Sequence, residues 1–165
     1  MNEEMPSSCS ICLIPKALLS CGLCQCSLCK KCACILPEDS FSFLKLIPAN
    51  LSHKVYCTPC FNQHVEAELA AYQETLLRAR EIQIYDKTQG KETRLLKRKA
   101  EAFVVSNCLD REEALLRLAF FAVQGNYNTL IDVEVTSQKV KMDGYQTSRW
   151  QGRGIPIAIP IPLTS

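Results

Sequence analysis

Charge of one sign, histidine and long apolar runs are all scarce in this chain of 165 residues. Nineteen Lys and Arg stand against seventeen Asp and Glu, a net charge of +2. That near balance excludes attraction to nucleic acid by overall electrostatics, so no nucleic-acid partner is expected. With only His53 and His64 as histidines, neither a Ser/His/Asp triad nor a paired-histidine metal site assembles, and no Gly-rich phosphate loop is present. We therefore expect a non-enzyme. The longest clean apolar run, residues 155–163, has nine residues of which three are prolines, far short of the roughly 20 needed to cross a bilayer. Residues 1–6 are acidic and poor in apolar side chains, so no secretory signal is expected there. The expected location is intracellular and cytoplasmic, peripheral to membranes at most.

Cysteine is the opposite case. Of eleven cysteines, ten lie between Cys9 and Cys60 and only Cys108 lies beyond. A reducing compartment disfavours disulfides, so a dense cysteine segment reads first as metal ligands. Four Cys-x2-Cys knuckles stand out: Cys9 and Cys12, Cys21 and Cys24, Cys29 and Cys32, Cys57 and Cys60. Each knuckle places two thiolates on one side of a tight loop, half of a tetrahedral zinc shell, so eight thiolates fill two closed shells. Two Zn2+ ions per chain are expected, in a structural role, because catalytic zinc keeps an open position. The segment also holds too few apolar residues for a core of its own, and small domains of that kind need a staple. An iron–sulfur cluster on Cys26, Cys29 and Cys32 would lack its fourth ligand, since Leu36 precedes Pro37.

The order and spacing of these knuckles resemble the FYVE zinc finger over residues 9–64. The segment Lys54-Val55-Tyr56-Cys57-Thr58-Pro59-Cys60-Phe61 is similar to the last FYVE knuckle. The resemblance implies a cross-braced treble-clef finger in which alternate knuckles share a metal. Cys9, Cys12, Cys29 and Cys32 would then hold one zinc, and Cys21, Cys24, Cys57 and Cys60 the other. The basic motif with which such domains clamp phosphatidylinositol 3-phosphate is not present, for residues 17–22 read Ala-Leu-Leu-Ser-Cys-Gly. Without forked guanidinium donors, only weak contact with anionic lipid through Lys30, Lys31 and Lys54 is expected. The same cysteines also fit RING-finger spacing if Cys26 replaces Cys21. In that registration Cys9-Ser10-Ile11-Cys12-Leu13 resembles the RING opening, which implies a ubiquitin-protein ligase as the alternative function.

Beyond the last knuckle, Phe61, Val65, Leu69, Tyr72, Leu76 and Ala79 recur at helical spacing, predicting a linker helix whose stripe packs rather than dimerises. Ile82-Gln83-Ile84 alternates as a strand, residues 87–91 read as a turn, and residues 102–105 as a buried strand. Asp110 caps a helix, with Glu113 completing a capping box and Gly125 ending it. Ala114, Leu115, Leu118, Ala119 and Ala122 form its apolar face. Ile131, Val133 and Val135 make a one-face-buried strand, Asp143-Gly144 a hairpin turn, and Gly152-Arg153-Gly154 a loop. This β-α-β-β unit resembles the YbjQ-like heavy-metal-binding family over residues 100–160, which implies homo-oligomerisation. Cys108 reads as a buried apolar residue.

The sequence thus predicts an α+β protein: residues 1–64 a FYVE/RING-like zinc finger, 65–81 a linker helix and 82–165 a small α+β domain. Its expected role is that of an interaction or recruitment module with a protein partner.

Overall fold

In the computed structural model, which describes residues 8–160, the chain divides between Gln73 and Glu74 into two units. The first carries four strands of two residues each, β1 (Leu19–Ser20), β2 (Ser27–Leu28), β3 (Cys34–Ile35) and β4 (Val55–Tyr56). They pair antiparallel as β1 with β2 and β3 with β4. One of its buried clusters is built largely of cysteine, while Leu36, Phe41, Leu51, Tyr56, Val65 and Tyr72 are buried as well. Cys9, Cys21, Cys29 and Cys57 are buried with Leu28, and Ala17, Leu19, Leu23 and Val55 pack around them. The fully buried Tyr56 donates its hydroxyl to the Asn50 carbonyl at 2.9 Å and accepts the His53 N–H at 3.0 Å, so its one polar atom is satisfied inside the unit.

The predicted helix follows the last knuckle as α1 (Thr58–Cys60), a π-helical turn (Phe61–Val65) and α2 (Glu66–Ala79). Val65, Tyr72 and Ala79 of its apolar stripe are buried. Tyr72 meets Phe41 edge to face with ring centroids 5.3 Å apart and accepts the Phe43 N–H at 3.1 Å. The first half of the stripe therefore packs within its own unit. The boundary between the units falls inside α2, not at its ends.

The second unit is a four-stranded mixed sheet with one long helix, α4 (Arg111–Gln124), against β6 (Phe103–Cys108), β7 (Thr129–Met142) and β8 (Tyr145–Ile157). Strand order is β5-β7-β8-β6, with β5 (Gln83–Asp86) parallel to β7 and the other pairs antiparallel. Residues 87–91 are not a plain turn. They open a 3-10 turn (Lys87–Gln89) and the short helix α3 (Gly90–Thr93), because Asp86 accepts the Thr88 N–H and Gln89 returns a bond to the Asp86 N–H. At α4 Asp110 accepts the Glu113 N–H at 2.7 Å, while the Glu113 carboxylate reaches one residue further back, to the Leu109 N–H. Ala114, Leu118, Ala119 and Ala122 are buried as the pattern requires, and Phe120 and Phe121 are buried with them. In β6 only Val105 and Cys108 are buried and Val104 is 65% exposed, as suits an edge strand covered on one face.

Gly152-Arg153-Gly154 lies within β8 and is not a loop. The helix comes down directly over it. A Cβ at Gly152 would stand 3.1 Å from Leu118 Cδ1 and 3.3 Å from Val105 Cγ2, and one at Gly154 would stand 3.1 Å from Val133 Cγ2. The missing side chain of Gly152 lets Leu118 and Ala114 of α4 approach the sheet, and that of Gly154 makes room for Val133 of β7. Opposite Gly154 the register of β7 shifts between Ile131 and Glu134. The residue at the shift, Asp132, is left-handed with φ 50, a conformation Asp tolerates better than most residues. Strict alternation would put Leu130 and Val133 on opposite faces, yet both approach Gly154. Arg98 clamps the bulge, its Nη2 donating to Asp132 Oδ1 at 3.1 Å and its Nε to Oδ2 at 2.5 Å. Past the sheet, β7 and β8 continue as a two-stranded ribbon to the Asp143-Gly144 turn, whose φ values of 47 and 83 are those of the hairpin turn the sequence signals.

Two outcomes follow. Gly152→Val should lose about 1–3 kcal/mol by overpacking, measured by chemical denaturation of the whole protein. Gly90→Ala, with nothing within 4 Å of its Cβ, should be neutral or better. The second concerns pH. Hydrogen bonding to Arg98, reinforced by its charge, holds the Asp132 carboxyl below the usual 3.8, so the folded state binds protons less readily than the unfolded one. The pair's stabilisation is complete above the unfolded pKa and disappears as pH falls through the lowered folded value. Asp132→Asn should be destabilised near neutrality and match the parent once the Asp132 carboxyl is protonated in the folded as well as the unfolded state.

Candidate metal centres

The first two knuckles share one local geometry. Leu13 N–H returns to the Cys9 carbonyl at 2.9 Å and Gln25 N–H to the Cys21 carbonyl at 2.9 Å. The residue after each second cysteine is left-handed, Leu13 at φ 65 and Gln25 at φ 61, which curls the loop so that both sulfurs face one side. The last two knuckles coil as helical turns instead, with Ala33 N–H on the Cys29 carbonyl and Phe61 N–H on the Cys57 carbonyl. Strand pairing then interleaves the four. Ser10 N–H bonds the Ser27 carbonyl beside the third knuckle, and Gly22 N–H bonds the Val55 carbonyl beside the fourth.

Two groups of four sulfurs result: Cys9, Cys12, Cys29 and Cys32, and Cys21, Cys24, Cys57 and Cys60, all ligand atoms of a group within 4.8 Å of one another. Alternate knuckles share a group. Burial runs buried, exposed, buried, intermediate in both, so the two sites repeat one design. All eleven cysteines are free thiols. The sulfurs of Cys12 and Cys29 lie 3.6 Å apart and those of Cys24 and Cys57 3.7 Å, too far for a disulfide. They match the edge of about 3.8 Å implied by a tetrahedron with metal–sulfur bonds of about 2.3 Å.

The electrostatics ask for a cation. Backbone N–H donors of Cys12 and Cys29 lower the Cys9 thiol to about 6. At Cys21 burial pushes the other way, but the N–H groups of Cys24, Cys57 and Leu23 outweigh it and hold the thiol at about 6. Once these ionise, the last sulfur of each group cannot follow. Hydrogen bonds to the sulfurs of Cys29 and Cys12 push Cys32 up to about 12, and those to Cys57, together with burial, push Cys60 up to about 12. Four sulfurs crowded this closely share protons unless a cation replaces them. The donor set therefore fits a thiophilic tetrahedral ion in each group, held by all four side chains and closed to further ligands.

Cys26, the alternative ligand of the RING registration, stands beside the second group without joining it. Burial, then hydrogen bonding to Cys24 and Cys57, pushes its thiol up to about 12. Cys34 lies in β3 outside both groups. Cys108 is fully buried in the second unit, and burial raises its thiol. Neither histidine is in a group. The ring of His53 instead lies over Gly22, where a Cβ would come within 2.3 Å of it, so Gly22 and His53 position the second knuckle. Sequence reasoning missed both, although a glycine directly after the first cysteine of a knuckle was the available signal. No protein-family profile matches the chain, and neither curated proteins nor solved structures provide a match.

Chelation should release two metal ions per chain by elemental analysis and unfold the cysteine-framed unit, since Cys9, Cys21, Cys29 and Cys57 lie buried together at its centre. Cys9→Ser and Cys21→Ser should each lose one ion. Cys34→Ser and Cys26→Ser should retain both. Equal loss in all four variants would mean another ligand set.

Proposed function

We propose that the chain is a two-zinc interaction and recruitment module of FYVE-like type, with no chemistry of its own. The observation that carries this reading is an apolar surface where a frame of this size can least spare one. Within eight residues of the first knuckle, Ile11, Leu13, Ile14 and Leu18 are 45%, 74%, 46% and 77% exposed. In a unit whose buried side chains are so few, aliphatics left outside mark a contact surface. Zinc is the ion we assign, because closed four-thiolate tetrahedra without an open position suit it. The grouping of Cys21, not Cys26, with Cys24, Cys57 and Cys60 supports the FYVE-like registration.

The partner of that surface is a protein, with weak membrane contact as an accompaniment. Lys30, Lys31 and Lys54 act as point charges, and Lys54 lies 3.7 Å from Glu38, so no forked clamp for a phosphoinositide is available. Binding to anionic liposomes should be salt-sensitive and indifferent to headgroup isomer. A ubiquitin-protein ligase of RING type is the second reading, and the exposure of Ile11 and Leu13 on the first knuckle favours it. A RING works by holding a charged conjugating enzyme in reactive geometry.

The deciding experiment is a self-ubiquitination assay of the metal-loaded protein with a broad panel of conjugating enzymes. No product is expected. Chain formation that Ile11→Ala abolishes while both ions stay bound would establish the RING reading instead.

A further inference from the structure

The second unit holds an open cleft of about 630 Å³ lined by two segments, residues 95–100 and 156–160, and by Tyr127. Both walls are pinned. Arg98 turns away from the cleft to clamp Asp132 and also bonds the Leu96 carbonyl at 3.2 Å, while its neighbours Lys97 and Lys99 line the cleft. On the far side Asn128 holds both backbone groups of Ile159, Nδ2 donating to its carbonyl at 2.6 Å and Oδ1 accepting its N–H at 2.8 Å. The cleft is therefore preformed, and its volume lies in the range of small-molecule sites, roughly 300–1,000 Å³.

Its lining has an uneven chemistry. Apart from the two lysines and Tyr127, every lining residue is aliphatic, Ala or Pro, and among the described residues no carboxylate lines it. Leu95, at its mouth, is 87% exposed, an apolar residue left in water. Among the described residues no carboxylate lies within ion-pair distance of Lys97 or Lys99. A free phosphate would leave the apolar trough unfilled, and an uncharged hydrocarbon would make no use of the two exposed ammonium groups. A ligand with one anionic head and one hydrocarbon tail uses both, the head on the lysines and the tail along the aliphatic lining, Leu95 on one wall and Pro156 and Ile159 on the other.

We propose that this cleft binds a free single-chain fatty acid, its carboxylate held by Lys97 and Lys99. The site is separate from the cysteine-framed unit and does not depend on the role given to that unit. Lysine suits a carboxylate here because it acts as a mobile point charge and makes no demand for bidentate geometry.

The test is titration of carboxyl-labelled dodecanoate into the metal-loaded full-length protein, followed by carbon NMR below the micelle concentration. Saturable binding at one site per chain is expected, with dodecanol and acetate each at least about tenfold weaker, the loss that follows from removing charge-assisted hydrogen bonds or the buried tail. Lys97→Gln with Lys99→Gln should weaken dodecanoate by about tenfold or more at an unchanged melting temperature. A second variant, Leu95→Ser, should weaken dodecanoate and leave the weak acetate signal as it was. Equal affinity for dodecanol, undiminished binding by the double lysine variant, absence of binding, or binding only to phosphatidylglycerol vesicles and not to monomeric dodecanoate would each overturn the proposal. Dodecanoate binding that survives chelation of the metal ions would support it and separate it from the fate of the first unit.

Discussion

Convergence of four sulfurs on one point, achieved twice, is the constraint from which the first unit takes its form. Each group draws its sulfurs from alternate knuckles, so the chain between Cys12 and Cys29 carries half of the other group inside it. Neither centre closes over a local stretch of chain. Strands of two residues would not persist alone, yet β1 to β4 lie directly beside cysteines that the two centres fix in space. The left-handed residues Leu13 and Gln25 serve the same end by spending backbone strain on aiming sulfur. With a cation in place, loops that bury little hydrocarbon become a rigid frame, and side chains such as Leu18 are left free to face outward.

Much of that frame was legible in advance because metal coordination writes itself into spacing. A knuckle needs two residues between cysteines, and a closed site needs two knuckles, so the eight sulfurs that converge are those the spacing singles out. Spacing alone could not decide between Cys21 and Cys26. That choice rests on which sulfur comes within reach of all three of Cys24, Cys57 and Cys60, a three-dimensional matter. In the second unit the capped helix from Asp110 to Gly125 and the Asp143-Gly144 turn could be read because their signals are local and chemical.

The misreadings have one origin, which is that tertiary packing can reverse the meaning of a residue. Gly152 and Gly154 resemble loop residues until a helix is placed over them. They then become part of the sheet, where a side chain would crowd Leu118, Val105 and Val133. Residues 87–91 looked like a turn because their cap, Asp86, sits at the end of a strand whose parallel partner lies more than forty positions downstream. Asp132 looked like one more polar residue on the outer face of a strand, and the bulge it makes could not be foreseen without Arg98, thirty-four positions earlier.

The ribbon at the far end of β7 and β8 carries a consequence of another kind. β5 pairs with β7 no further than Val133 and β6 with β8 only from Trp150 to Gly154, so beyond Ser137, which faces Trp150, both outer borders of the hairpin present unpaired amides and carbonyls to water. Such borders invite extended chains to add to them, and proteins discourage this with charge. Lys139, Lys141 and Arg149 occupy that stretch, and Asp143 at the turn is its one acidic residue. Like-charge repulsion between hairpins of different molecules thus keeps an otherwise adhesive border from zippering. Resistance of this border to edge-to-edge pairing accordingly rests on three basic side chains of the second unit, and acetylation of the two lysines would remove most of that protection without altering the fold.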